Sequence, residues 1–206
     1  MPPRPYDRSL RDRSREETRR KIVEAAFRLH GRHGGLSTSY AMIARAADVS
    51  VPTVYNHFPT RDDLFAACTR HVPKEAPVLG PEIFDGIAGV EERLGALVRA
   101  LARSYGFWGP WIRWGSAEAP VVPEFRRFLD ESQKGRAALL RGALAPEFGG
   151  RPPAGLIDIA GVLVDFPSWE RLVARRGSRR AEALLTETLV VLTRHHTRYG
   201  KGDVQP

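Results

Sequence analysis

Residues 38–58 read TSYAMIARAADVSVPTVYNHF, two short amphipathic segments joined by a tight turn. In the first segment Ile43, Ala44 and Ala47 fall at i, i+1 and i+4, the spacing of a narrow buried stripe on a helix. Asp48 ends that helix, because a short polar side chain tolerates the left-handed conformation that a sharp turn requires. Ser50 opens the second segment: its hydroxyl accepts a backbone N–H two or three residues on, and Pro52 in the first turn removes a donor that has no helical partner. Val54 and Phe58, four apart, anchor this helix, which leaves Val51, Pro52, Thr53, Tyr55, Asn56 and His57 on or beside its outer face. The arrangement is a helix-turn-helix, and the outer face suits a major groove.

The flanking sequence supplies the rest of a small helical head. From Arg15 to Arg32, Ile22, Ala25, Ala26 and Leu29 repeat at i, i+3, i+4 and i+7, and Gly34 and Gly35 stop the helix. His30 lies beside that stripe and reads as a packed histidine. On the other side Thr60 caps a helix that opens with Arg61, Asp62 and Asp63, acids that suit its positive end. Leu64, Phe65, Cys68 and Val72 are its expected inward face, and Pro73, Pro77 and the run PVLGPEIFDG mark a domain boundary. The predicted organisation is a basic mobile arm over 1–15, a helix-turn-helix head with its connecting helix over 16–76, and a helical regulatory and dimerisation domain over 77–206.

Charge is distributed to match. The chain carries a net charge of +8, with 14 basic and 9 acidic residues in 1–76 against 18 and 15 in the remainder, so the excess is denser in the head. Such a molecule is attracted to polyanions, with salt-dependent affinity. Cys68 is the one cysteine, which excludes an intramolecular disulfide and fits a reducing cytoplasm. No apolar run is long enough for a membrane span, and the expectation is a protein without membrane association.

Three quoted stretches, IVEAAFRLHGRHGG at 22–35, TSYAMIARAADVSVPTVYNHF at 38–58 and PTRDDLFAACTRHV at 59–72, together resemble the DNA-binding head and connecting helix of the TetR family of bacterial transcriptional regulators. The most specific part is SVPTVYNHFPTRDDLF at 50–65. The chain departs from the family pattern at His30 and Gly35, where aromatic residues usually pack, at Asp48, where glycine is usual, and at Met42, where an acid is common. The resemblance implies an all-α fold, a homodimer, a double-stranded DNA operator and a small-molecule effector. It implies phosphate contacts from Thr53, Tyr55, His57 and Arg61, base-edge contacts from Val51, Pro52 and Asn56, and a grip on the DNA backbone by Ser39 and Tyr40. Ala41 stands where some members carry a base-reading arginine.

Beyond residue 85 the long segments read as helices, with Leu94, Leu97, Val98, Leu101 and Tyr105 on one stripe and Phe125, Phe128, Leu129, Leu139 and Leu140 on another. Between them, GFWGPWIRWGSAEAP brings Phe107, Trp108, Trp111 and Trp114 close to a Gly109-Pro110 pair that is expected to break the helix. These rings either fill a core or line an apolar effector pocket. Towards the end, Leu156, Ile159, Leu163, Leu185, Val191 and Leu192 lie on two apolar helices that resemble the family's dimerisation pair; burial within one chain is the alternative.

Nothing points to catalysis or to a cofactor. His195 and His196 are adjacent, so they cannot chelate an ion as an i, i+4 pair can, and no phosphate-binding glycine loop, nucleophile elbow or metal cluster occurs. Asp158 and Asp165 read as partners for arginines across a dimer interface or as anchors for a polar ligand atom, and Asp158, in a first helical turn, is also explained without function. The expected function is that of a homodimeric repressor released from a near-palindromic operator by a small effector. The rival readings are an effector-independent or activating regulator, and a helical carrier or enzyme.

Overall fold

The computed structural model describes residues 8–199, which are helical with no strand among them. The order is α1 (Arg8–His33), α2 (Tyr40–Ala47), α3 (Val51–His57), α4 (Arg61–Arg70), a 3-10 turn (Pro81–Phe84), α5 (Val90–Glu118), α6 (Pro123–Leu144), α7 (Ala154–Leu163), α8 (Phe166–Arg176) and α9 (Ser178–Tyr199). Among the described residues no helix is long and apolar enough to cross a membrane.

Local chemistry sets the helix ends in the head. Ser39 accepts the N–H of Met42, and Ser50 that of Thr53, each at 3.2 Å. Thr60 and Asp63 form a reciprocal capping box at the start of α4. Asp48 adopts φ 55°, ψ 51° and its N–H closes on Ala44. Helix α1 begins at Arg8, inside the stretch expected to be a mobile arm; the remainder of that stretch lies outside the described residues. Its arginines and acids are adequate helix formers, no glycine or proline falls between Arg8 and Leu29, and a helix already nucleated by packing extends at little cost. Val72 is 68% exposed rather than inward, because α4 ends at Arg70 before the apolar stripe reaches it.

The chain divides into two compact units. Of the described residues, the first comprises those up to Lys74 together with Pro110–Leu129; the second comprises Glu75–Gly109 and those from Asp130. In the first, Ile22, Ile43, Val54, Phe58 and Leu64 are at most 1% exposed, and each such side chain contributes roughly 1.5–3 kcal/mol of burial. Cys68 is buried here as a small hydrophobe, and burial pushes its thiol up to about 12.

The second unit packs around Leu94, Leu97, Leu101, Leu140, Leu144, Leu156 and Leu189. The Tyr105 hydroxyl donates to the Val164 carbonyl at 2.6 Å, and Arg93 ties the carbonyls of Ile87 and Gly142. The break expected at Gly109-Pro110 does not form: helix α5 runs through the pair without interruption. A proline inside a helix costs on the order of 3 kcal/mol, but the carbonyl it leaves without a donor belongs to the exposed Gly106, and Gly109 lets the Phe166 ring approach to 3.1 Å of its Cβ position. Pro167 sits in the first turn of a new helix, where Asp165 caps by accepting the Ser168 N–H at 2.8 Å.

Candidate nucleic-acid interface

Helix α3 presents Val51, Pro52, Tyr55 and Asn56 to solvent, with Tyr55 54% exposed, while Val54 and Phe58 are fully buried beneath. Thr53 and His57 are half-buried at the edges of this face. Thr53 also pairs its hydroxyl with that of Ser50 at 2.8 Å. Helix α2 and the start of α4 complete the surface: a cleft of about 350 Å³ is lined by Ser39, Tyr40, Ala41, Val51, Tyr55, Pro59 and Arg61. Five residues expected to contact DNA are thus brought around one notch.

Tyr40 has a different role from its neighbours. It is 8% exposed, and its hydroxyl lies 2.9 Å from the Phe58 carbonyl and 2.8 Å from that of Thr60, with the ring 4.7 Å from Tyr55. Burial, then the neighbouring Tyr55, raises its pKa. The phenol therefore joins the end of α3 to the start of α4 instead of pointing outward. Positioning is also the work of Arg19, which no motif singled out. It donates to the His57 carbonyl at 3.3 Å and stacks its guanidinium 4.3 Å from the centre of the Phe58 ring. Burial, with Arg15 and Arg19 close by, holds the His57 imidazole below its usual range.

The four clustered aromatics do not share one unit. Phe107 and Trp108 belong to the second, their rings 5.0 Å apart; Trp111 and Trp114 belong to the first. Trp111 is 7% exposed and fills the core against Phe27, His30 and Phe125. Trp114 packs over Gly34 and remains 37% exposed. His30 is packed as expected, near Phe65 and Trp111, with a buried Nδ1 that has no hydrogen-bond partner among the described residues.

In the second unit Leu156 and Leu185 are already buried within the chain, at 1% and 4% exposed, because α7, α8 and α9 pack on one another. Ile159, Val162 and Val191 stay exposed at 50%, 65% and 64%, and Leu163 and Leu192 are half-buried. A cleft of about 400 Å³ lies between α6, α7 and the start of α8, lined by Gln133, Arg136, Ala137, Ile157, Asp158, Gly161, Val162 and Asp165. Asp158 and Asp165 therefore face one cavity, although Asp165 is also a helix cap. No group of three or more metal-ligating side chains occurs among the described residues.

An exposed recognition helix carried on a three-helix head defines a helix-turn-helix protein. Residues 22–68 match the model of the bacterial regulatory proteins of the tetR family. Over those residues, the head of the molecule, the chain is similar to that family. It is 34% identical over 83 residues to the HTH-type transcriptional regulator BetI of Brucella anthropi, a match that covers 39% of this chain and only 41% of BetI. Among solved structures it resembles a tetR-family transcriptional regulator from Streptomyces coelicolor (TM-score 0.65, 22% identity, 89% of this chain and 83% of that one). It also resembles the multidrug binding protein EbrR complexed with proflavin (TM-score 0.55, 22% identity, 85% and 99%). The structural likenesses speak to fold.

Proposed function

We propose that this chain is a sequence-specific DNA-binding transcriptional regulator, acting as a homodimeric repressor that a small-molecule effector releases from a near-palindromic operator in the cytoplasm. The observation that carries the reading is the exposed face of α3, where Val51, Pro52 and Asn56 are free to reach base edges while Ser39, Tyr55 and Arg61 stand around the adjoining notch. Asparagine pairs with adenine N6 and N7, the two apolar residues touch thymine methyls, and the hydroxyls and guanidinium position the backbone.

Dimerisation is assigned to the exposed Ile159, Val162 and Val191 with Leu163 and Leu192, a set of apolar side chains that a second copy would cover. Effector binding is assigned to the second unit. The cleft at Asp158 and Asp165 has the volume for a small polar molecule, and the similar EbrR fold holds proflavin. Ligand and operator would then be coupled reciprocally, each weakening the other by the same factor.

The test is selection of duplexes from a random library by the intact protein, followed by gel-shift titration. Asn56→Ala should lose about 1–3 kcal/mol on the selected site and relax one base position. Tyr55→Phe should weaken all duplexes alike. Absence of any preference over bulk DNA at moderate salt would overturn the proposal.

A further inference from the structure

Glu118 is an acid in an adverse position. It ends α5, where the helix dipole is negative, and it is 7% exposed. Among the described residues no side-chain cation pairs with it. Its carboxylate instead accepts backbone N–H groups of the turn between α1 and α2: Gly35 N–H at 2.9 Å on Oε2, and Leu36 N–H at 3.2 and 3.3 Å on the two oxygens. A buried charge at a helix C-terminus persists only when such charge-assisted bonds compensate it.

The turn is shaped around this carboxylate. Gly34 adopts φ +82°, and a Cβ there would stand 2.4 Å from Oε1; a Cβ on Gly35 would meet Phe65 at 2.6 Å, Phe125 at 2.9 Å and Oε2 at 3.0 Å. The missing aromatic at position 35 is thus replaced by Phe125 and Glu118, both from the Pro110–Leu129 segment of the same unit. The turn's other polar groups are tied as well. The Gly34 carbonyl accepts the Thr38 hydroxyl at 2.7 Å, the Gly35 carbonyl the Thr38 N–H at 3.3 Å, and the Leu36 carbonyl the Arg61 guanidinium at 3.1 Å.

We propose that Glu118 is a positioning residue for DNA binding: its carboxylate fixes Gly35 and Leu36 so that the Leu36 carbonyl aims Arg61 at a phosphate. This rests on the DNA-binding reading above. The link from Glu118 to the notch runs through one residue, since Leu36 meets Glu118 by its N–H and Arg61 by its C=O. Glutamine at 118 keeps the size of the side chain but offers one accepting oxygen in place of two and no charge.

The test uses the full chain and the duplex that the wild-type protein selects, with affinity followed against salt concentration well below the unfolding midpoint. Glu118→Gln is expected to weaken binding about tenfold and to lower the slope of log K against log salt by about one phosphate's share, as Arg61→Ala does. Combined with Arg61→Ala it should add little, because the Leu36 carbonyl then has nothing to aim. A role in stability alone would give additive losses and an unchanged salt slope, and either result overturns the proposal. Should Glu118→Gln fail to fold, Glu118→Asp, which keeps the charge but withdraws it by one methylene, must show the same non-additivity. If the wild type selects no duplex, the DNA-binding reading itself falls; if it does and the losses add, only the role of Glu118 falls.

Discussion

Trp111 stacks on Phe27, with ring centroids 4.5 Å apart and planes 26° from parallel. Helix α1 admits the indole because residue 31 is glycine, whose Cβ position lies 3.1 Å from Trp111 Cδ1 and Nε1. Trp111→Ala should therefore cost about 3–5 kcal/mol of stability, read as a lowered midpoint in urea, and should impair every activity of the head together. Intact stability with selective loss of an effector response would show instead that the ring lines a ligand pocket.

Two tyrosines in ring contact should respond in opposite ways to loss of a hydroxyl. Tyr40→Phe removes the donor shared by the Phe58 and Thr60 carbonyls and should cost roughly 1–2 kcal/mol of stability. Tyr55, 54% exposed, should lose DNA affinity as phenylalanine while its stability stays within about 0.5 kcal/mol of wild type. Equal effects of the two substitutions on chemical denaturation would contradict this division.

Stability should fall on mild acidification through His30. Burial, aided by Arg61, lowers its pKa from 6.5 to about 4, so between those values the unfolded chain binds a proton that the folded one does not. The contribution is complete above pH 6.5 and is lost as pH falls towards 4, amounting to about 3 kcal/mol at the acid end. Denaturation midpoints from pH 7.5 to 4.5 for wild type and His30→Phe measure it: the wild-type slope across this range should be the steeper of the two.

Substitutions in the last helix should separate association from folding. Val191, 64% exposed, replaced by Glu leaves the chain's own core intact and should give a folded monomer by light scattering. Leu185, 4% exposed, replaced by Glu buries an unpaired charge and should unfold the chain, a loss of more than about 3 kcal/mol. A wild-type protein that scatters as 23.0 kDa at micromolar concentration would remove the dimer from the proposal.

What the sequence determined by itself is the set of features that depend on neighbours three or four residues apart. Ser39, Asp48, Ser50 and the Thr60–Asp63 box place the ends of α2, α3 and α4, because each cap binds a backbone group within its own turn. The same locality exposes Tyr55 and Asn56 once Val54 and Phe58 are buried. Tertiary structure alone decided which segments those helices meet. An apolar stripe does not name its partner, so the placement of Trp111 on Phe27, the closure of Tyr40 onto Phe58 and Thr60, and the burial of Leu156 and Leu185 within one chain had no local signal. Glu118 lies 83 residues from Gly35, and a solvated acid in sequence becomes a buried acceptor only when folding brings two N–H groups to it. The same holds for Pro110: propensity argued for a break, and the packing of the residues on either side of it outweighed one lost hydrogen bond.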